Sequence, residues 1–176
     1  MRFPPLAVVS VVAALFALTA CDQPKRRDTT APGTNAQGPQ DDTVDSGGTP
    51  AAPVWAQAMI GKNLREAFPK SGICRGNTDI VQRKYAGQPA GVQIHGWGWD
   101  VGRKAGIDRV LLVDKTFRIV GAGEGGVNRP DVPAALPEVT DQHTGWNANV
   151  AVTAGPLDAY GVTGGDSVCG LGHIEF

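Results

Sequence analysis

The chain has 176 residues, 16 Lys and Arg against 17 Asp and Glu, and a formal net charge of −1. This near-neutral balance excludes the clustered basic face that a nucleic-acid binder needs, so no nucleic-acid partner is expected. The length suits one folded domain with a modest core, once the polar N-terminal stretch is set aside.

The chain opens "MRFPPLAVVSVVAALFALTAC". Arg2 precedes an uncharged apolar run from Leu6 to Leu18, followed by Thr19-Ala20. A run of this length reads as the apolar region of a secretory signal, because a membrane span needs about 20 apolar residues. Leu18-Thr19-Ala20-Cys21 resembles the lipobox of bacterial lipoproteins. That resemblance implies a signal peptide over residues 1–20, cleavage before Cys21, a diacylglyceryl group on its thiol and acylation of the new amine. Several acyl chains make a stable anchor where one does not. The expected address is therefore the bacterial cell envelope, held to a membrane by lipid and facing the periplasm or the cell surface.

Residues 22–52 carry one large aliphatic side chain, Val44, among Pro, Gly, Thr, Asp and Gln. Such a segment buries too little apolar surface to offset its ordering entropy, so a disordered tether is expected over residues 21–52. Roughly thirty flexible residues give a reach of about 30 Å. Lys25, Arg26 and Arg27 stand where they would meet anionic headgroups, and read equally well as a solvated charge run.

A helical segment is expected over residues 53–72. In "VWAQAMIGKNLREAFP" Trp55, Met59 and Ile60 recur at helical spacing, Gly61 interrupts them, Leu64 and Phe68 form an i, i+4 pair, and Pro69 ends the run. Residues 73–176 read as strand and turn. "NTDIVQRKY" and "AGVQIHGWGWD" are the first two strands, and "DRVLLVD" and "FRIVGAG" form a hairpin through Asp114-Lys115-Thr116. "GGVNRPDVPAALPEV" reads as a crossing with one helical turn, where Asn128 is placed to cap and Pro130 sits near the first turn. Arg129 is expected to brace backbone carbonyls or a carboxylate there. "TGWNANVAVTAG" alternates cleanly and puts Trp146 in the core; "LDAYGVT" and "SVCGLGHI" flank the turn Gly164-Gly165-Asp166. Short strands with Gly-rich turns at regular intervals predict a mainly β fold, a sandwich or barrel.

With Cys21 assigned to lipid, Cys74 and Cys169 remain in an exported chain, and a disulfide between them is the simplest expectation. The succession Gly96-Trp97-x-x-Asp100, "RVLLVD", "IVGAG", Arg129-Pro130-Asp131-Val132 and Thr144-Gly145-Trp146 resembles an immunoglobulin-like β-sandwich module. Such modules occur in bacterial cell-surface proteins and as extracytoplasmic appendages of membrane glycosyl- and acyltransferases. The resemblance implies an antiparallel sandwich with a non-enzymatic accessory or interaction role, in which Arg129, Pro130, Asp131 and Trp146 are structural. The departure from the family pattern is that the module is expected to stand alone on its lipid anchor, without a transferase.

"GAGEGG" satisfies G-x-G-x-x-G through Gly121, Gly123 and Gly126, but Val127-Asn128-Arg129-Pro130 follows where a dinucleotide site needs a helix N-terminus. Those glycines are expected to allow a bulge or tight bend. His95, His143 and His173 lack ligand spacing, so no metal is expected. No G-x-S-x-G marks a nucleophile, and Asp100, Glu124 and Asp131 are carboxylates of a kind common in turns. Catalytic residues and cofactors are therefore expected to be none.

In "VQIHGWGWD" Val92, Ile94, Gly96 and Gly98 share one strand face, and Gln93, His95, Trp97 and Trp99 share the other. Two arrangements fit. Trp97 belongs to the core, as the family pattern implies, and Trp99 meets a ligand or partner. Alternatively, Trp99 with Trp97 or Tyr85 forms an exposed platform that stacks sugar rings. An envelope protein or a glycan is accordingly the expected partner.

Overall fold

The computed structural model describes residues 43–176. The signal, Cys21 and the tether up to residue 42 lie outside the described residues. The described part is mainly β, with two short helices ahead of the main strands and a third at Asp131–Ala135, and its arrangement is consistent with the expected sandwich.

The strands are β1 (Thr43–Asp45), β2 (Lys70–Ser71), β3 (Cys74–Tyr85), β4 (Gly91–Asp100), β5 (Ala105–Gly106), β6 (Arg109–Val113), β7 (Ile119–Val127), β8 (Gly145–Val150), β9 (Leu157–Gly164) and β10 (Ser167–Ile174). They join one sheet in the order β1-β3-β4-β8-β7-β6-β9-β10-β2, with β5 added beside β4. Neighbours are antiparallel except at the two ends, where β1 runs parallel to β3 and β2 parallel to β10.

The sheet folds over until β3 and β10 meet. Cys74 and Cys169 are bonded there with their Cα atoms 5.6 Å apart, which bears out the pairing expected from cysteine parity. Further along the same seam, a side chain at Gly76 would meet Leu171, and one at Gly172 would meet the Thr78 backbone N–H. The enclosed space is filled from β4, β6, β8 and β10 by Val92, Ile94, Val110, Leu112, Trp146 and Leu171, with Ile107 between them.

Trp146 is wholly buried, as its alternation predicts. Its indole lies against Gly96, where an added Cβ would run into the six-membered ring. Gly98 next along the strand makes the same room for Leu171 and Ile107. The inward face of β4 is thus bare backbone where the core side chains from opposite strands need depth.

A second apolar cluster lies on the outer side. Leu111 and Val113 of β6 face away from Val110 and Leu112 and pack beneath Ala56, Leu64 and Phe68. Burial on both faces explains why "RVLLV" is an unbroken apolar run rather than an alternating one. The covering helices are two single turns, α1 (Val54–Gln57) and α2 (Leu64–Ala67), not one continuous helix. Gly61 separates them at φ +87°, a conformation that favours glycine, and the Asn63 side chain caps α2 by accepting from the Arg65 N–H at 2.9 Å.

A third, smaller cluster forms where α3 (Asp131–Ala135) and the residues after it cross the outer face of β4. Pro130 occupies the N-cap position of α3 without a side-chain cap, so the cap expected at Asn128 is not formed.

Two boundaries differ from expectation. The tether expected through residue 52 is interrupted by β1, which pairs with β3 through backbone while Val44 stays 69% exposed. Thr49 then donates its backbone N–H to the Pro89 carbonyl at 2.7 Å. A strand held by backbone pairing and by polar contacts such as Asp45 with Arg83 leaves no apolar pattern to read. Residues 53–72 likewise end in β2, a two-residue parallel strand with both side chains exposed.

Replacing Cys74 and Cys169 by Ser should lower the unfolding free energy by up to about 4–5 kcal/mol, given the loop that the bond closes. The measurement is a urea midpoint compared with that of the oxidised wild type. Gly96→Ala should cost about 1–3 kcal/mol by overpacking against Trp146, read as a lower melting temperature with unchanged far-ultraviolet dichroism.

Candidate functional site

Four strands, β3, β4, β8 and β7, present their outer faces side by side, and register places their side chains in two rows. One row runs Glu124, Asn147, His95; the other runs Ala122, Asn149, Gln93, Arg83. Strand spacing sets neighbours in a row about 4.8 Å apart, and the alternation of each strand sets the rows about 6.8 Å apart.

At one end of this face Arg129 acts as a hub. Its Nε donates to Asp131 Oδ1 at 2.9 Å, its Nη2 to Asp131 Oδ2 at 2.7 Å, and its Nη1 to Asp79 Oδ2 at 2.6 Å. Asn77 Nδ2 donates to the other oxygen of Asp79 at 2.8 Å. Gly145 gives the arginine its passage, since a Cβ there would lie 2.8 Å from Arg129 Cγ. The fork-to-carboxylate geometry with Asp131 is the bidentate kind that Arg favours. It holds the guanidinium above its ordinary range and the Asp131 carboxyl below the usual carboxylate range.

Arg129 Nη1 also stands 3.3 Å from His95 Nε2. An arginine only donates, so His95 Nε2 accepts and its proton resides on Nδ1. His95 Nδ1 then donates to Asn147 Oδ1 at 2.7 Å. The oxygen of Asn147 is thereby occupied, and its NH2 group is the part left for other partners. Asn149 is oriented the same way, because its Oδ1 accepts from Tyr85 Oη and from Gln93 Nε2, each at 3.3 Å. No acceptor for either Asn NH2 group is present among the described residues.

A groove of about 770 Å³ opens over the β7–β8 end of the rows. Asn147 and Asn149 form its floor with Ala122 and Glu124, and the segment carrying Pro53, Val54 and Trp55 forms its wall. The Arg109 guanidinium lies 5.3 Å from the centre of the Trp55 ring, a cation–π contact that steadies the indole. Glu124 is exposed and has no partner among the described residues.

The tryptophans of β4 are placed differently from expectation. They share the outer face with Gln93 and His95, as the alternation predicts. Trp99, however, is 2% exposed, covered by Val132 and Val139, while Trp97 is only partly buried at the edge of that cluster. Trp99 is therefore not free to meet a ligand, and the core role expected for Trp97 is filled by Trp99. Tyr85, at 6% exposure, is likewise unable to offer a ring face and contributes only its hydroxyl. The physical reason is the crossing segment after Arg129, which lays its apolar side on an outer strand face that alternation alone marks as solvated.

The other singled-out residues have local tasks. Asp100 is buried and accepts from the Gly102 and Arg103 N–H groups at 2.9 and 3.0 Å and from Arg103 Nε at 2.9 Å, which fixes the turn after β4. The G-x-G-x-x-G glycines lie within β7, and Gly126 at φ +90° marks the expected bulge in its register with β8. His143 bonds Asp141, and His173 bonds Asp158 and Glu175. No group of three His, Cys, Asp or Glu among the described residues is arranged to hold a metal. Trp55, Asn147 and Asn149 carry no site role in the sequence reading; the Asn-x-Asn spacing on one strand face signals the two asparagines, whereas Trp55 reads only as part of a helical apolar pattern.

Asp131→Asn should lower stability at neutral pH by no more than about 1 kcal/mol, since that carboxylate is largely exposed and screened. A carboxyl with a lowered folded-state pKa stabilises above its unfolded value, about 3.9, and loses that contribution as pH falls through the lower folded value. The difference between wild type and variant in denaturant titrations should accordingly be present at pH 7 and vanish in strong acid. No protein-family model, no curated protein and no solved structure matches this chain.

Proposed function

We propose that the chain is an envelope lipoprotein, anchored through Cys21, that displays a non-catalytic accessory or interaction module. The observation that carries the non-catalytic reading is the Arg129 hub. It is the most connected polar cluster among the described residues, and its charged groups are engaged by one another in a fixed clamp. A catalytic acid or base needs a free position for the proton it moves, and His95 has both ring nitrogens engaged. Of the three carboxylates that could have served, Asp100 and Asp131 hold a turn and a helix start, and Glu124 has no second acid or base beside it in the groove lining.

The groove face of β8 and β7 supports the interaction half of the reading. It combines unpaired amide donors and an unpaired carboxylate on β8 and β7 with the Trp55 indole on α1. Binding groups on strands keep their geometry better than groups on loops. The membrane partner is the bilayer, met through lipid, and the working partner is an envelope component that reaches this face.

In cells of an expressing bacterium, the mature wild-type chain should carry acyl mass on its N-terminal cysteine and fractionate with membranes. Cys21→Ser should lose both. A membrane-retained chain without acyl mass would overturn the anchor.

A further inference from the structure

The groove has features that select among chemical classes of partner. Its polar groups are two amide donors on β8, about 6.8 Å apart along one strand, beside the Glu124 carboxylate on the neighbouring strand. The oxygens of both amides are taken by neighbours, so the floor offers NH2 donors and carboxylate acceptors at defined, separate points. The wall offers the Trp55 indole and Val54, which is 85% exposed. A ligand that fits must accept and donate hydrogen bonds at short intervals on one edge and present an apolar surface on another.

Extended peptides meet sheets through backbone pairing at an edge, whereas these groups lie on a sheet face away from β1 and β2. An anionic ligand would meet the Glu124 carboxylate, while the nearby cation Arg109 is engaged over Trp55. A pyranose meets every demand: hydroxyl oxygens accept from amides, hydroxyl hydrogens donate to a carboxylate, and the C–H face packs on an indole. The volume also falls within the range of small-ligand sites.

We infer that the Trp55–Asn147–Asn149–Glu124 groove binds an uncharged glycan, with sugar rings against Trp55 and hydroxyls on the β8 amides. This deepens the displayed-module reading, on which it rests for the place where the glycan is met. His95 and Arg129 act as positioning residues, because their hydrogen-bond relay turns the Asn147 amide toward the groove. The site differs from the platform expected of Trp99 and Tyr85, whose rings are covered.

The test uses the full acylated chain in a sugar-free zwitterionic detergent, titrated by calorimetry with cellotetraose and chitotetraose. A tetramer of galacturonic acid is the anionic comparison. Saturable binding to a neutral tetraose is expected, with the anionic one at least about 10-fold weaker, a difference of about 1.4 kcal/mol. Trp55→Ala, and separately the double variant Asn147→Asp/Asn149→Asp, should each weaken it by about 10-fold or more. The Asp variants keep shape and the acceptor for His95 while removing the donors, and circular dichroism verifies that each variant is folded. Absence of saturable binding to both neutral tetraoses overturns the inference, as does tighter binding of the anionic tetramer or retained affinity in the folded Asp variants. Loss of sugar binding with acyl mass still on Cys21 would remove the glycan assignment alone and leave the anchored module standing.

Discussion

The architecture depends on one close approach, the indole of Trp146 laid against the bare backbone of Gly96. A folded-over sheet must fill its interior from both sides, and the largest buried side chain sits where β4 gives up its own inward side chains. Interiors pack at crystal-like density, so a wide indole on one strand requires an absence on another. Gly96 and Gly98 are that absence, and Val92 and Ile94 resume the filling further along. The same strand therefore carries core on one end of its inner face and empty backbone on the other. With the interior closed in this way, the outer faces of β3, β4, β8 and β7 are fixed in register, and everything described on the groove side inherits that rigidity.

The polar layer outside is ordered by a different principle. Arg129 cannot accept a hydrogen bond, and this single chemical fact propagates outward. It assigns the His95 tautomer, which assigns the direction of the Asn147 amide. A change at Asp79, on the far side of the hub, would act on the groove only through this chain of donors and acceptors. Polar networks of this sort specify a unique arrangement when every member is satisfied. Here Asn77, Asp79, Arg129, Asp131, His95 and Asn147 are linked without a break from β3 through β8.

Much of the strand plan was legible because alternation and turn chemistry are local. The Asp114-Lys115-Thr116 turn is such a case: Asp114 Oδ1 accepts from the Thr116 and Arg118 N–H groups, and the residue types alone suggest it. The cystine was legible from parity, once Cys21 was set apart and export was expected. What periodicity cannot tell is whether a strand face is later covered. Trp97 and Trp99 were assigned to the correct face of β4, yet their burial is decided by Val132 and Val139, which arrive from more than thirty positions away. The hub was legible only as an arginine in need of a carboxylate, since Asp79 lies fifty positions earlier in the chain. β1 and β2 were invisible because strands of two or three residues join through backbone and need no apolar code. The groove residues escaped for the converse reason: asparagines on a strand look like solvated filler until the wall beside them is seen.

The placement of β1 has a mechanical consequence. Any pull on the chain before Thr43 enters the domain at the rim of the sheet, through three residues paired in parallel with the end of β3. That rim is weakly sewn, but the strand behind it is bolted covalently to β10 at its opposite end. Tension can strip the first seam and still find the rest of the body closed, so the domain is built to yield at its margin while the outer face of β7 and β8 keeps its shape.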